Sequence, residues 1–203
     1  MSFLRVLPVA VGLFFGATSY CQLYPELHAY ENCSLDDGLI TVEVSGLGPG
    51  VRARPVQTRK GTFPLPLLAG RRVMFAYPNT DFYANVKVEI LPAEHYEEEK
   101  QLAVDGFDYT LASSSETTRN YALRPTLNDF SVQGLDRSKL EGGTLGIYLL
   151  FDDKARMLTT IYFLNADPER RKFSNMTDYA KLRDHFLSGY TSCIRRAQQT
   201  TTP

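Results

Sequence analysis

The stretch Thr144–Leu164, TLGIYLLFDDKARMLTTIYFL, decides the fold. Two apolar runs, TLGIYLLF and RMLTTIYFL, meet at polar turn residues, the pattern of an antiparallel hairpin. Nearly every position in both runs is apolar, rather than every second one, so both faces of these strands must be covered. The hairpin is therefore expected at the centre of its sheet. Its two tyrosines, Tyr148 and Tyr162, need hydrogen-bond partners if they are buried there.

Working outward toward the C-terminus, NADPERRKFSN reads as a loop. A closing helix follows over about 177–197. Tyr179, Leu182, Phe186, Tyr190, Cys193 and Ile194 give it an apolar stripe at helical spacing. Residues 198–203 read as a frayed, disordered tail.

Toward the N-terminus, DFSVQGL is a strand and ASSSETTRN a polar loop. A helix begins near Pro92, where proline is tolerated in the first turn. Glu94, Glu97, Glu98 and Glu99 suit the positive end of its dipole, and Ala93, Tyr96, Ala103, Phe107 and Leu111 form its stripe, weakened at Gly106. ANVKVEIL is a strand with Ala84, Val86, Val88 and Ile90 inward and Asn85, Lys87 and Glu89 outward. RRVMFAY is another, preceded by TFPLPLLAG as a stiff loop. VRARPV alternates, and Pro55 assigns it to an edge. GLGPG turns the chain after LITVEVSG, a half-buried strand with Ile40, Val42 and Val44 on one side. Residues 22–37 form an ordered lead-in.

The order β-β-β-β-α-β-β-β-α describes an α+β protein: a mostly antiparallel sheet of about six to seven strands packed with two long helices. The expectation is a single domain over 22–197, without internal repeat or linker. This order is similar to that of the PsbP-like fold, an antiparallel sheet between helices; the likeness is one of topology and brings no residue roles with it.

The first residues, MSFLRVLPVAVGLFFGATSYCQ, carry one basic residue and then an apolar run from Val6 to Phe15. A membrane span needs about 20 apolar residues, so this shorter run reads as a secretory signal covering 1–21, cut after Ser19 or Cys21. The protein is then secreted or periplasmic, with no transmembrane segment after the cut. Loss of Arg5 moves the net charge from −1 to −2. That balance lacks the basic footprint of a nucleic-acid binder. If Cys21 leaves with the signal, Cys33 and Cys193 are left as an even pair in an oxidising compartment, which invites a disulfide across almost the whole chain.

Catalytic signatures are absent. His28, His95 and His185 are far apart, and EHYEEE lacks the second histidine of a zinc-protease helix. No G-x-S-x-G elbow occurs. Pro49 removes a backbone donor that a phosphate loop at GLGPG would use. No metal site and no cofactor are expected. Two Asn-x-Ser/Thr triplets, at Asn32 and Asn175, matter only in a eukaryotic secretory pathway.

One charge pattern stands out. Residues 51–72 hold Arg52, Arg54, Arg59, Lys60, Arg71 and Arg72 and no acidic residue. Either this is a basic hairpin that contacts something anionic, or its charges guard a sheet edge or are neutralised by the glutamate-rich helix. The expected function is an exported, non-catalytic binding or accessory module whose basic hairpin meets an anionic surface or acidic protein. The alternative is a small secreted hydrolase assembled around His185. A third reading pairs the closing helix or an edge strand with an identical copy.

Overall fold

The computed structural model describes residues 24–200, apart from 25, 32, 34, 36–37, 47–50, 114–116, 121–125, 138 and 141. The signal segment, its two cut sites and most of GLGPG lie outside the described residues, as do the side chains of His28 and Leu111.

The chain is α+β. A short helix α1 (Glu26–Glu31) precedes strands β1 (Ile40–Gly46), β2 (Ala53–Thr58), β3 (Gly61–Pro66), β4 (Ala69–Ala76) and β5 (Phe82–Ile90). Helix α2 (Tyr96–Ser113) follows, entered through a 3-10 turn at Ala93–His95. Then come β6 (Thr117–Asn120), β7 (Thr126–Leu127), β8 (Phe130–Arg137), β9 (Gly143–Asp152), β10 (Met157–Asn165) and helix α3 (Met176–Thr200). The main sheet runs β1-β4-β5-β10-β9-β8-β6, with β7 added beside β8, and every pairing is antiparallel. The hairpin β9–β10 is central, and β10 joins the two halves of the chain by pairing with β5 along its full length.

Each face of the sheet has its own cover. On one face α1 and α3 close over β4, β5, β10 and β9, where Val73, Phe82, Ala84, Val86, Val88, Tyr148, Ile161 and Phe163 are fully buried. Aromatic rings dominate this core: Phe163 meets Phe186 edge-on at 5.4 Å and Phe82 meets Phe173 at 5.1 Å, a preferred ring geometry. Cys33 and Cys193 are disulfide-bonded, with Cα atoms 5.6 Å apart, tying the chain after α1 to α3. On the other face α2 and the separate hairpin β2–β3 cover Leu91, Leu149, Phe151 and Leu158.

The charged groups inside the helix-covered face are paired, whereas the buried Thr159 hydroxyl finds no hydrogen-bond partner among the described residues. Asp136 accepts hydrogen bonds from Tyr148 at 2.7 Å and Tyr179 at 3.0 Å, and it is ion-paired with the fully buried Arg183. An unpaired buried charge would be costly. Gly134 and Gly146 make room for this cluster: a Cβ on either would run into the Tyr148 ring, and on Gly146 also into Tyr179 and Asp136. Asp152, at the end of β9, accepts from Tyr30 (3.0 Å), Arg195 (2.7 Å) and Gln198 (2.9 Å). Burial alone would raise its carboxyl, but the bonds from Gln198, Arg195 and Tyr30 together with the Arg195 charge outweigh it and hold Asp152 below the ordinary carboxylate value.

Several elements differ from expectation. Ile40, Val42 and Val44 are not half-buried: they are 49%, 45% and 51% exposed, because β1 is an edge strand that α3 does not reach, and a bulge between Thr41 and Glu43 breaks its alternation. TFPLPLLAG contains strand β3 rather than only a loop. Its Pro64 lies opposite Pro55. With a two-residue turn closing at Thr58–Gly61, that pair falls on a non-hydrogen-bonded position, where neither proline removes a ladder bond. The polar loop before β7 contributes β6, bonded to β8. The closing helix runs on through 198–200, where Gln198 is held by Asp152.

Candidate functional site

The six expected cations do not form one patch. Arg59 and Lys60 are the two turn residues at the tip of the β2–β3 hairpin and are exposed, as is Arg52 at its base. Arg71 and Arg72 are neighbours on β4 and so point to opposite faces. Arg71 lies opposite Val88, on the helix-covered side of the sheet, and its guanidinium covers Gly46 at the edge. Arg72 lies opposite Lys87 on the hairpin side and donates to Asn85 at 2.8 Å. Arg54 points inward from the hairpin onto Glu89 of β5, its Nε 2.7 and 2.9 Å from the two carboxylate oxygens.

Glu89 was expected to face outward and is instead fully buried, because the hairpin and α2 cover that face of β5. Lys87 approaches it from the same strand at 2.5 Å. Neutralisation of the basic segment therefore comes from a sheet glutamate, while Glu94, Glu97 and Glu98 of the acidic helix start are exposed.

Beneath the hairpin a half-open cleft of about 330 Å³ separates β2 from the sheet. Arg54, Val56 and Gln57 overhang it, Ala103, Phe107 and Tyr109 of α2 form one wall, and Ile147, Leu149, Thr160 and Tyr162 are its floor. The floor follows from the central hairpin's register: Tyr162 lies opposite Ile147 and Thr160 opposite Leu149, so two polar and two apolar side chains share one face. Gly106 sets the height of the overhang. A Cβ there would collide with Val56, so glycine is what allows β2 to pack directly on α2. Gln57 donates to the Tyr109 hydroxyl at 3.3 Å, closing one end. Burial pushes the Tyr162 phenol above its ordinary value, with Arg54 pulling it down and Glu89 up; it is a neutral hydroxyl at physiological pH.

His185 is exposed on α3, on the opposite side of the sheet from this cleft. Asp184, the carboxylate beside it in sequence, takes the Arg183 Nε at 2.9 Å. The cleft lining contains no histidine, cysteine or serine, and among the described residues no three metal-ligating side chains converge. His95 is exposed and lies 3.3 Å from Glu98 on its own helix. Among the described residues, no helix is long and apolar enough to cross a membrane.

Sequence reasoning found Arg54 but not its surroundings. Tyr162 was singled out only as a residue needing a partner, and nothing in the spacing of Gln57, Tyr109 and Thr160 relates them. No protein-family model matches this sequence, and no curated protein and no solved structure shows significant similarity to it.

Proposed function

We propose that the protein is an exported binding or accessory module, without catalytic machinery of its own, that meets an anionic surface through the β2–β3 hairpin. One observation carries this reading. The hairpin stands off the main sheet as its own two-stranded unit, and it projects Arg52, Arg59 and Lys60 into solvent with no acidic residue between positions 51 and 66. Exposed Val51 beside Arg52 at the base and exposed Phe63 on β3 accompany these cations, so the hairpin can combine charge with apolar contact. The disulfide supports residence in an oxidising compartment.

The test is sedimentation of the folded protein with phosphatidylglycerol vesicles, against phosphatidylcholine vesicles and against a soluble polyanion. Each basic residue at an anionic surface contributes about 1 kcal/mol, so the Arg52→Gln/Arg59→Gln/Lys60→Gln variant is expected to bind on the order of a hundredfold more weakly. Binding of the unaltered protein should fall as salt rises. Equal binding by the triple variant, or no preference for the anionic matrices, overturns the reading.

A further inference from the structure

We infer that the cleft beneath the hairpin is a binding site for a small amphipathic anion, one with a carboxylate-like head and an apolar body. This site is distinct from the exposed tip, and its occupant need not be the partner that the tip contacts.

The head is set by charge. On the hairpin side of the sheet, Arg54 and Lys87 both engage one buried carboxylate, Glu89. Two positive charges answered by one negative leave this end of the cleft electropositive. Glu89 holds the Nε of Arg54, so the terminal amino groups of the same guanidinium remain for an acceptor entering the cleft, and Arg54 lines it directly. Guanidinium binds carboxylate through paired donors in a fixed fork, which fixes the orientation of the head. The hydroxyls of Tyr162 and Thr160 rise from the floor alongside. Among the described lining residues there is no carboxylate to attract a cation, and the adjoining Glu89 is already doubly engaged.

The body is set by shape and wall chemistry. Past Arg54 the cleft has a hydrocarbon side formed by Val56, Ala103, Phe107, Ile147 and Leu149, facing a polar rim of Gln57, Tyr109 and Thr110. Its 330 Å³ lies at the small end of the range for ligand pockets, about 300–1,000 Å³. That space is roughly eleven waters of liquid volume, which suits a short acyl chain or a single substituted ring rather than a sugar chain or a nucleotide. At Gly106 the backbone of α2 meets Val56 directly, so the contact of β2 with α2 fixes one end of the cleft.

The probe pair is octanoate and octanol, equal in carbon chain length and different in charge. Titration of the disulfide-intact protein, followed by amide chemical shifts, should show saturable octanoate binding with its largest shifts at Ile147, Leu149, Thr160 and Tyr162. A charge-assisted hydrogen bond predicts octanoate at least about tenfold tighter than octanol. Arg54→Gln/Glu89→Gln removes the guanidinium fork together with its buried carboxylate, leaving only the partly exposed Lys87 charged, and it should abolish the preference while octanol still binds. Thr110→Trp, at the exposed rim of the same cleft, should block both probes without touching the core, and it serves if the double variant does not fold. Absence of saturable binding, equal affinity for the two probes, shifts that map elsewhere, or octanoate binding that survives Thr110→Trp would each overturn the inference. Loss of vesicle binding in the tip variant, with octanoate binding unchanged, separates this site from the proposed contact surface.

Discussion

Leu149 and Leu150 are neighbours on one strand and look into two different interiors. Leu150, 1% exposed, points into the aromatic core under α1 and α3. Leu149, 5% exposed, borders a cleft of about 330 Å³ under the hairpin. Protein interiors are normally packed with few voids larger than a water, so an opening of this size sets the surroundings of Leu149 apart from the closed aromatic core around Leu150. The helix-covered side also holds the disulfide and the buried Arg183–Asp136 and Arg195–Asp152 pairs. The hairpin side has a two-stranded roof resting on α2, and its single fully buried carboxylate sits next to the void. The covalent tie lies on one side of the sheet and the half-open cleft on the other.

The largest expected effect tests the first half of that contrast. Cys33→Ser/Cys193→Ser releases a loop with a sequence separation of 160, and loop-closure entropy assigns it about 5 kcal/mol. Urea unfolding should show that loss, and a change under 1 kcal/mol would mean that the bond does little for the closed side. Next comes Arg183→Met, which leaves Asp136 buried with its tyrosines and no cation. A loss of about 3–5 kcal/mol is expected, and Arg183→Met/Asp136→Asn should recover much of it, because the neutral amide oxygen still accepts from Tyr148 and Tyr179 while no unpaired charge is left buried. If the double variant is as unstable as the single, the pair acts through something other than charge.

The smallest effect is the sharpest comparison. Leu150→Ala opens a hole in a closed core and should cost about 4 kcal/mol, whereas Leu149→Ala enlarges a space already open to water and should cost about 2 kcal/mol. Equal losses measured by thermal and urea unfolding would erase the distinction between the two faces.

Much of this architecture is written in periodicity. The doubly apolar hairpin at 144–164 required cover on both sides, and it has it, from α3 and α1 on one and α2 with β2–β3 on the other. The stripe of the closing helix named Tyr179, Phe186, Tyr190 and Ile194, all buried. Spacing of Cys33 and Cys193 near the two ends anticipated their bond. Arg183 could not be read this way: it interrupts the helical stripe as a charge, and only the three-dimensional approach of Asp136, 47 residues earlier, makes its burial tolerable. Glu89 is hidden for a similar reason. Alternation along ANVKVEIL places it on the face away from the aromatic core, but whether that face meets water depends on where a distant hairpin settles. The hairpin itself was half legible, since prolines at 64 and 66 suggested a loop and only the register of Pro64 against Pro55 shows how a strand accommodates them.

The bond between Cys33 and Cys193 has a practical consequence for handling the molecule. It gathers the beginning and the finish of the described chain onto the α3 side, so a linker grafted ahead of Tyr24 or behind Thr200 departs from the back of the sheet. A bead or sensor chip carrying the protein by either terminus would therefore turn the overhanging hairpin toward the bulk solution, oriented for capture assays without further engineering.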